Sequence, residues 1–126
     1  MNKYILFIVV LLFILAVDFV FLTILMKGFY DSQLKAFSRT VRLWSGLAAW
    51  ALIALGIVML VIPNAKSYPS AAIYGAIFGL ILYGVYDFSN YAILKDYTVA
   101  MTVVDLVWGI TLCTLSSMFA FFINSF

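Results

Sequence analysis

The chain is predicted to be all-α: a polytopic membrane protein built as a four-helix antiparallel transmembrane bundle. Three observations carry that prediction. Of 126 residues, 67% are hydrophobic and 10% charged, with a mean hydropathy of +1.21; a soluble domain is about 45–50% apolar and about 25% charged. Four apolar stretches reach the roughly 20 residues that a spanning helix needs. The first break between them is a longer segment, basic on one face, and the last is very short. Together they make one transmembrane domain over residues 1–126, with no room for a soluble appendage.

The first stretch covers residues 4–26. Lys3 followed by an apolar run resembles a signal peptide, but the run is too long and no small-residue cleavage pattern follows it. A retained helix is expected. The second stretch covers residues 43–62. The third, 69–94, begins at Pro69, a residue suited to the first turn of a helix. The fourth covers residues 99–122. Only Lys95-Asp96-Tyr97-Thr98 separates it from the third, so those two helices must be antiparallel neighbours.

The connection at residues 30–42 reads YDSQLKAFSRTVR. Leu34, Phe37 and Val41 fall on one helical face and Lys35, Arg39 and Arg42 on another, the pattern of an amphipathic segment lying against anionic lipid headgroups. The same cations also set topology. With this connection cytoplasmic, Lys27, Lys35, Arg39, Arg42 and Lys95 lie inside, and Lys3 and Lys66 outside. That bias predicts both termini on the outer, periplasmic side. The net charge of +2 gives no reason to expect nucleic acid. Cys113 is the lone cysteine and reads as a small packed residue. With no histidine, haem ligation, imidazole proton shuttling and the usual zinc sites are not expected.

There is a faint internal repeat. Residues 18–30 read DFVFLTILMKGFY and residues 87–97 read DFSNYAILKDY. If the two halves are duplicates, they form parallel hairpins of a kind seen in transporters.

Function is pointed to by Asp18, Asp87 and Asp105, each inside a spanning stretch. A carboxylate at the bilayer centre costs at least roughly 2.5–3.5 kcal/mol. Counting from Lys27, Lys95 and Tyr97 at about 1.5 Å per residue, all three sit about 12–14 Å from the same end of the bundle. Tyr83, Asn90 and Tyr91 flank Asp87 at i−4, i+3 and i+4 and are the expected donors to it. Asp18 has only apolar neighbours on its own helix, so its partner must come from another. Gly75 and Gly79 allow close approach of a helix or ligand.

The run Tyr83-Gly84-Val85-Tyr86-Asp87-Phe88-Ser89-Asn90-Tyr91-Ala92, followed by Asp105-Leu106-Val107-Trp108-Gly109, resembles the signature of a family of small bacterial membrane proteins with four helices: YD-x-x-N-x-A, then D-x-x-WG. The match spans essentially the whole chain. The resemblance implies bacterial origin and the four-helix architecture, and marks Asp87, Asn90, Asp105 and Trp108 as motif positions; the bacterial inner membrane is the expected location. It carries no assigned activity.

The expected ligand- or proton-binding set is Asp18, Asp87, Asp105, Asn90, Tyr83, Tyr86, Tyr91 and Trp108; Lys35, Arg39 and Arg42 are expected at lipid headgroups. The leading reading is a proton-linked transporter of a small or lipid-like solute. The alternatives are lipid binding or lipid chemistry, with Asp87 and Asp105 as acid and base or, with Asn90, as ligands to a divalent cation, and an accessory subunit of a membrane complex. Catalysis weighs less than binding, and no resident cofactor or metal is expected. The bilayer, a second copy or another membrane protein are the expected partners.

Overall fold

Every backbone polar group in hydrocarbon must be satisfied within its own segment, and a chain of this length achieves that only with helices. The computed structural model of residues 1–126 is built of helices joined by short links, with no strand. Four helices are long and apolar enough to cross a membrane: Lys3–Leu25, Leu43–Asn64, Tyr68–Ile93 and Val99–Asn124. We label the helices α1 (Lys3–Val20), α2 (Lys27–Leu34), α3 (Leu43–Gly56), α4 (Tyr68–Ile93) and α5 (Val99–Asn124).

Local chemistry sets the helix starts. The Asn2 side chain accepts from Tyr4 N at 2.7 Å at the start of α1. Ser67 and Ser70 form a reciprocal capping box ahead of Pro69 in α4. Thr98 caps α5 by accepting from Met101 N at 3.0 Å.

Two spans continue as wider π turns, Phe21–Leu25 after α1 and Ile57–Val61 after α3. In the first, the Thr23 hydroxyl donates to Phe19 O at 2.6 Å, a side-chain bond that competes with the helix ladder. The chain then breaks at Met26, and α2 turns away from the axis of α1. This helix ends at Leu34, so the amphipathic helix expected through residues 30–42 is only half formed. Lys35, Arg39 and Arg42 lie beyond it, and Arg39 reaches back to Asp31 Oδ1 at 3.6 Å. Residues 38–42 include Ser38, Thr40 and Val41, which are poor helix formers.

The tightest packing is between α4 and α5. A Cβ built on Gly75 would lie 2.5 Å from Ser117 Oγ, and one on Gly79 2.7 Å from the Gly109 carbonyl. The Gly75/Gly79 pair therefore receives α5, and Cys113 is fully buried in the same seam. α1 packs on α5 and on α3, with Phe13 and Phe119 stacked at 4.3 Å.

α3 behaves differently. It packs along α1 and barely touches α4, whereas the π turn at its end packs on both α4 and α5. Phe78 covers Gly56 there, leaving no room for a Cβ. The two helices therefore meet at one end and part toward Leu43.

Candidate functional site

The period of each helix brings the three aspartates into one layer. α1 buries Leu6, Val10, Ile14 and Asp18, one residue per turn. Asp87 ends the buried stripe of α4, and Asp105 belongs to that of α5. Their exposures are 6%, 0% and 7%. Neither ion pair in the protein involves any of them; both fall on Asp31.

Neutral aromatic donors do the work that cations would otherwise do. The Trp50 indole donates to Asp18 Oδ2 at 2.7 Å, and the Trp108 indole to Asp18 Oδ1 at 2.8 Å. The partner of Asp18 thus comes from other helices. Tyr30, on α2, donates to Asp105 Oδ1 at 2.8 Å. Tyr97, in the α4–α5 link, donates to Asp87 Oδ1 at 2.5 Å. Burial first, and the neighbouring Asp105 and Asp87 carboxyls respectively, push both phenols above the usual tyrosine range, so they act as fixed donors.

The donor groups are themselves braced. Phe21 stacks on Trp108 at 3.8 Å and meets Tyr30 edge-on at 5.8 Å. Phe37 sits edge-on to Tyr97 at 6.5 Å. Thr98 hydrogen-bonds the Gln33 side chain. The connection after α1 and the α4–α5 link are therefore clasped at one end of the bundle, over the carboxylate layer.

Within the layer, two carboxyl oxygens take no bond from an N–H or O–H donor, and the Asp87 and Asp105 carboxyls meet each other. Asp87 Oδ2 is fully buried, with the Asp105 carboxyl beside it. Asp105 gives only Oδ1 to Tyr30. Asp105 also faces a cavity. A crevice of about 440 Å³ runs between α3 and α4, walled by Gly46, Ala49 and Trp50 on one side and Leu82, Tyr83 and Tyr86 on the other, with Asp18 and Asp105 in its wall. This is the space left where α3 parts from α4.

Of the expected site residues, Asp18, Asp87, Asp105 and Trp108 come together in the layer, and Tyr83 and Tyr86 in the crevice wall. Asn90 is half-buried, with the Tyr86 and Tyr97 hydroxyls as neighbours. Tyr91 is 48% exposed and lines a separate hollow at the end of α4 with Lys95. The donors expected for Asp87 on its own helix do not bind it: the Tyr83 ring lies over Gly109, where a Cβ would stand, and the bond to Asp87 is made by Tyr97. Lys35, Arg39 and Arg42 line an open hollow with Ser38 and Thr40, outside the carboxylate layer.

Trp50, Tyr30 and Tyr97 are the residues that sequence reasoning passes over. One signal for Trp50 exists: it lies seven residues into its span from Leu43, a depth of about 10 Å, close to that of Asp18. Aromatic residues near the ends of spans otherwise read as interfacial anchors. No set of three or more acidic or thiol groups converges as metal ligands.

The family described as "Predicted membrane protein (DUF2177)" matches residues 3–122. No curated protein and no solved structure matches the chain.

Proposed function

The chain belongs to the DUF2177 family of predicted membrane proteins, and on that premise we propose that it takes a lipid-like solute laterally from the bilayer and handles it in a proton-linked cycle. The crevice between α3 and α4 carries this reading. It is mostly apolar, opens at the flank of the bundle, and has two nearly buried carboxylates in its wall. An alkyl chain would occupy the apolar part and its head would meet Asp105. Ligand sites are commonly apolar clefts with a few converging polar groups between helices, and ionisable groups at membrane depth mark such paths.

Proton linkage rests on the Asp87–Asp105 pair. Two adjacent carboxyls in an apolar layer resist carrying two charges, and Asp87 Oδ2 and Asp105 have no cation between them. They are suited to holding one proton. A solute head that engages Asp105 would alter that sharing. This favours transport or carriage over lipid chemistry, since Asp87 lies outside the crevice wall and has no direct access to a bound solute.

The clasped end, with five of the seven cations, is proposed to face the cytoplasm of a bacterial inner membrane, with both termini periplasmic. Lys35, Arg39 and Arg42 would then rest on anionic headgroups. Homo-oligomers or a partner membrane protein would cover further surface of a bundle whose outer faces are apolar.

The test uses tail-brominated phosphatidylcholine, which quenches nearby indoles. In a Trp44→Phe background only Trp50 and Trp108 report. Quenching should fall when Gly46→Leu plugs the crevice, since a Cβ at Gly46 meets nothing closer than Trp50 at 4.0 Å. Equal quenching with and without the plug contradicts an alkyl chain in the crevice.

A further inference from the structure

We propose that the head group this crevice selects is a positively charged nitrogen, an ammonium on an alkyl chain. The inference rests on the reading of the crevice as a site for a lipid-like solute and names the chemistry of the head. Its wall holds Asp18 and Asp105, three aromatic side chains (Trp50, Tyr83 and Tyr86) and neither lysine nor arginine. Carboxylates and aromatic rings are the two side-chain types that attract an ammonium, one by charge and the other by its quadrupole.

The free valences agree. Asp18 has an indole on each oxygen. Asp105 commits only Oδ1, to Tyr30, although it is 93% buried by its 7% exposure. Its second oxygen takes no bond from an N–H or O–H donor of the protein, and the residue stands in the crevice wall beside the Asp87 carboxyl. The layer as a whole holds three carboxylates faced only by neutral donors, so a cation is the complement it lacks. A phosphate or carboxylate head would meet like charge there. A neutral alcohol would gain a hydrogen bond but no charge pairing. All seven cations of the chain stand outside the crevice wall, three of them on the loop at Lys35, Arg39 and Arg42.

The probes are dodecyltrimethylammonium, dodecylamine and dodecanol, which share a tail. They are titrated into Trp44→Phe protein in dodecyl maltoside micelles, with indole emission from Trp50 and Trp108 as the readout. At least one ammonium probe should bind on the order of tenfold more tightly than the alcohol. Asp105→Asn, which keeps the side-chain volume, should abolish that preference. Tyr86→Leu, on a side chain 58% exposed and outside the aspartate bonds, should weaken ammonium binding about two- to fivefold and leave the alcohol unchanged. Equal binding of ammonium and alcohol, or a preference that survives both substitutions, overturns the ammonium assignment while leaving the crevice as a lipid-solute site. Binding of none of the three probes overturns both.

Discussion

The α4–α5 pair and the α3–α4 pair are made from the same apolar stock, yet one closes and the other does not. Along α4–α5, glycine, serine and cysteine bring the backbones together; Gly75 and Gly79 would collide with α5 if they carried a Cβ. Between α3 and α4 the facing residues include Trp50, Tyr83 and Tyr86, and the helices touch only near Gly56 and Phe78. Lipid tails are as apolar as leucine, so helices in a bilayer gain from contact only where shapes fit closely. Small residues make a seam. Large aromatic ones, of which Trp50 is held by its indole to Asp18, prop a crevice open beside it.

The largest contrast should come from glycine substitutions. Gly79→Leu drives a side chain into the Gly109 backbone and should destabilise by about 3 kcal/mol, with a matching fall in Tm in detergent. Gly46→Leu projects into the crevice and should leave Tm nearly unchanged. Equal losses would mean that the crevice is closed in solution.

Next are the props themselves. Asp18→Leu removes the acceptor of two indoles and should cost about 1–3 kcal/mol, as read by chemical unfolding in detergent. Asp18→Asn keeps one oxygen and should cost less, about 1 kcal/mol. A more stable Asp18→Leu protein would show that the indole bonds do not hold α1, α3 and α5 together. Smaller again, Tyr30→Phe and Tyr97→Phe should each cost about 0.5–1.5 kcal/mol and shift the carbonyl infrared bands of Asp105 and Asp87 respectively.

The smallest effect lies on the clasp outside the spans. Lys27, at 2.5 Å, and Arg39 hold the Asp31 carboxyl below its ordinary value of 3.8. A depressed carboxylate contributes stability that is present above that value and is lost as pH falls through the lower folded one. Asp31 is about half exposed on the surface of α2, so only α2 should loosen. Amide exchange of residues 27–34 should rise as pH falls below about 4, relative to Asp31→Asn, and an identical pH profile in that variant would remove the clasp.

The spans and the depth of the aspartates could be read from the chain because both follow from fixed quantities, apolar run length and rise per residue. Gly75 and Gly79 could be read as a contact for the same reason, since lack of a side chain has one steric meaning. The partners of the carboxylates could not, apart from Trp108, which the D-x-x-WG motif marks. Trp50 and Tyr30 come from other helices, and Tyr97 from a link whose aromatic residue has the composition of an interface anchor. A helix position three or four away from Asp87 predicts a shared face, but the contact of Tyr83 with Gly109 had first claim on that ring. The end of α2 at Leu34 was hidden because Leu34, Phe37 and Val41 keep a helical period through residues that favour extended backbone. The crevice is a lack of packing between α3 and α4, and no residue pattern in a single helix states what its neighbour fails to touch.

The central claim is that the crevice gives the bilayer access to Asp105 while Asp87 behind it stays sealed. A lipid-soluble carbodiimide, which couples to carboxyl groups it can reach from hydrocarbon, tests this directly when its adducts are located by mass spectrometry of the protein in phospholipid nanodiscs. The account predicts that Asp105 is labelled well ahead of Asp87, and that Gly46→Leu suppresses the labelling of Asp105. Labelling of Asp87 at the same rate, or of Asp105 at an undiminished rate in the plugged variant, would contradict it.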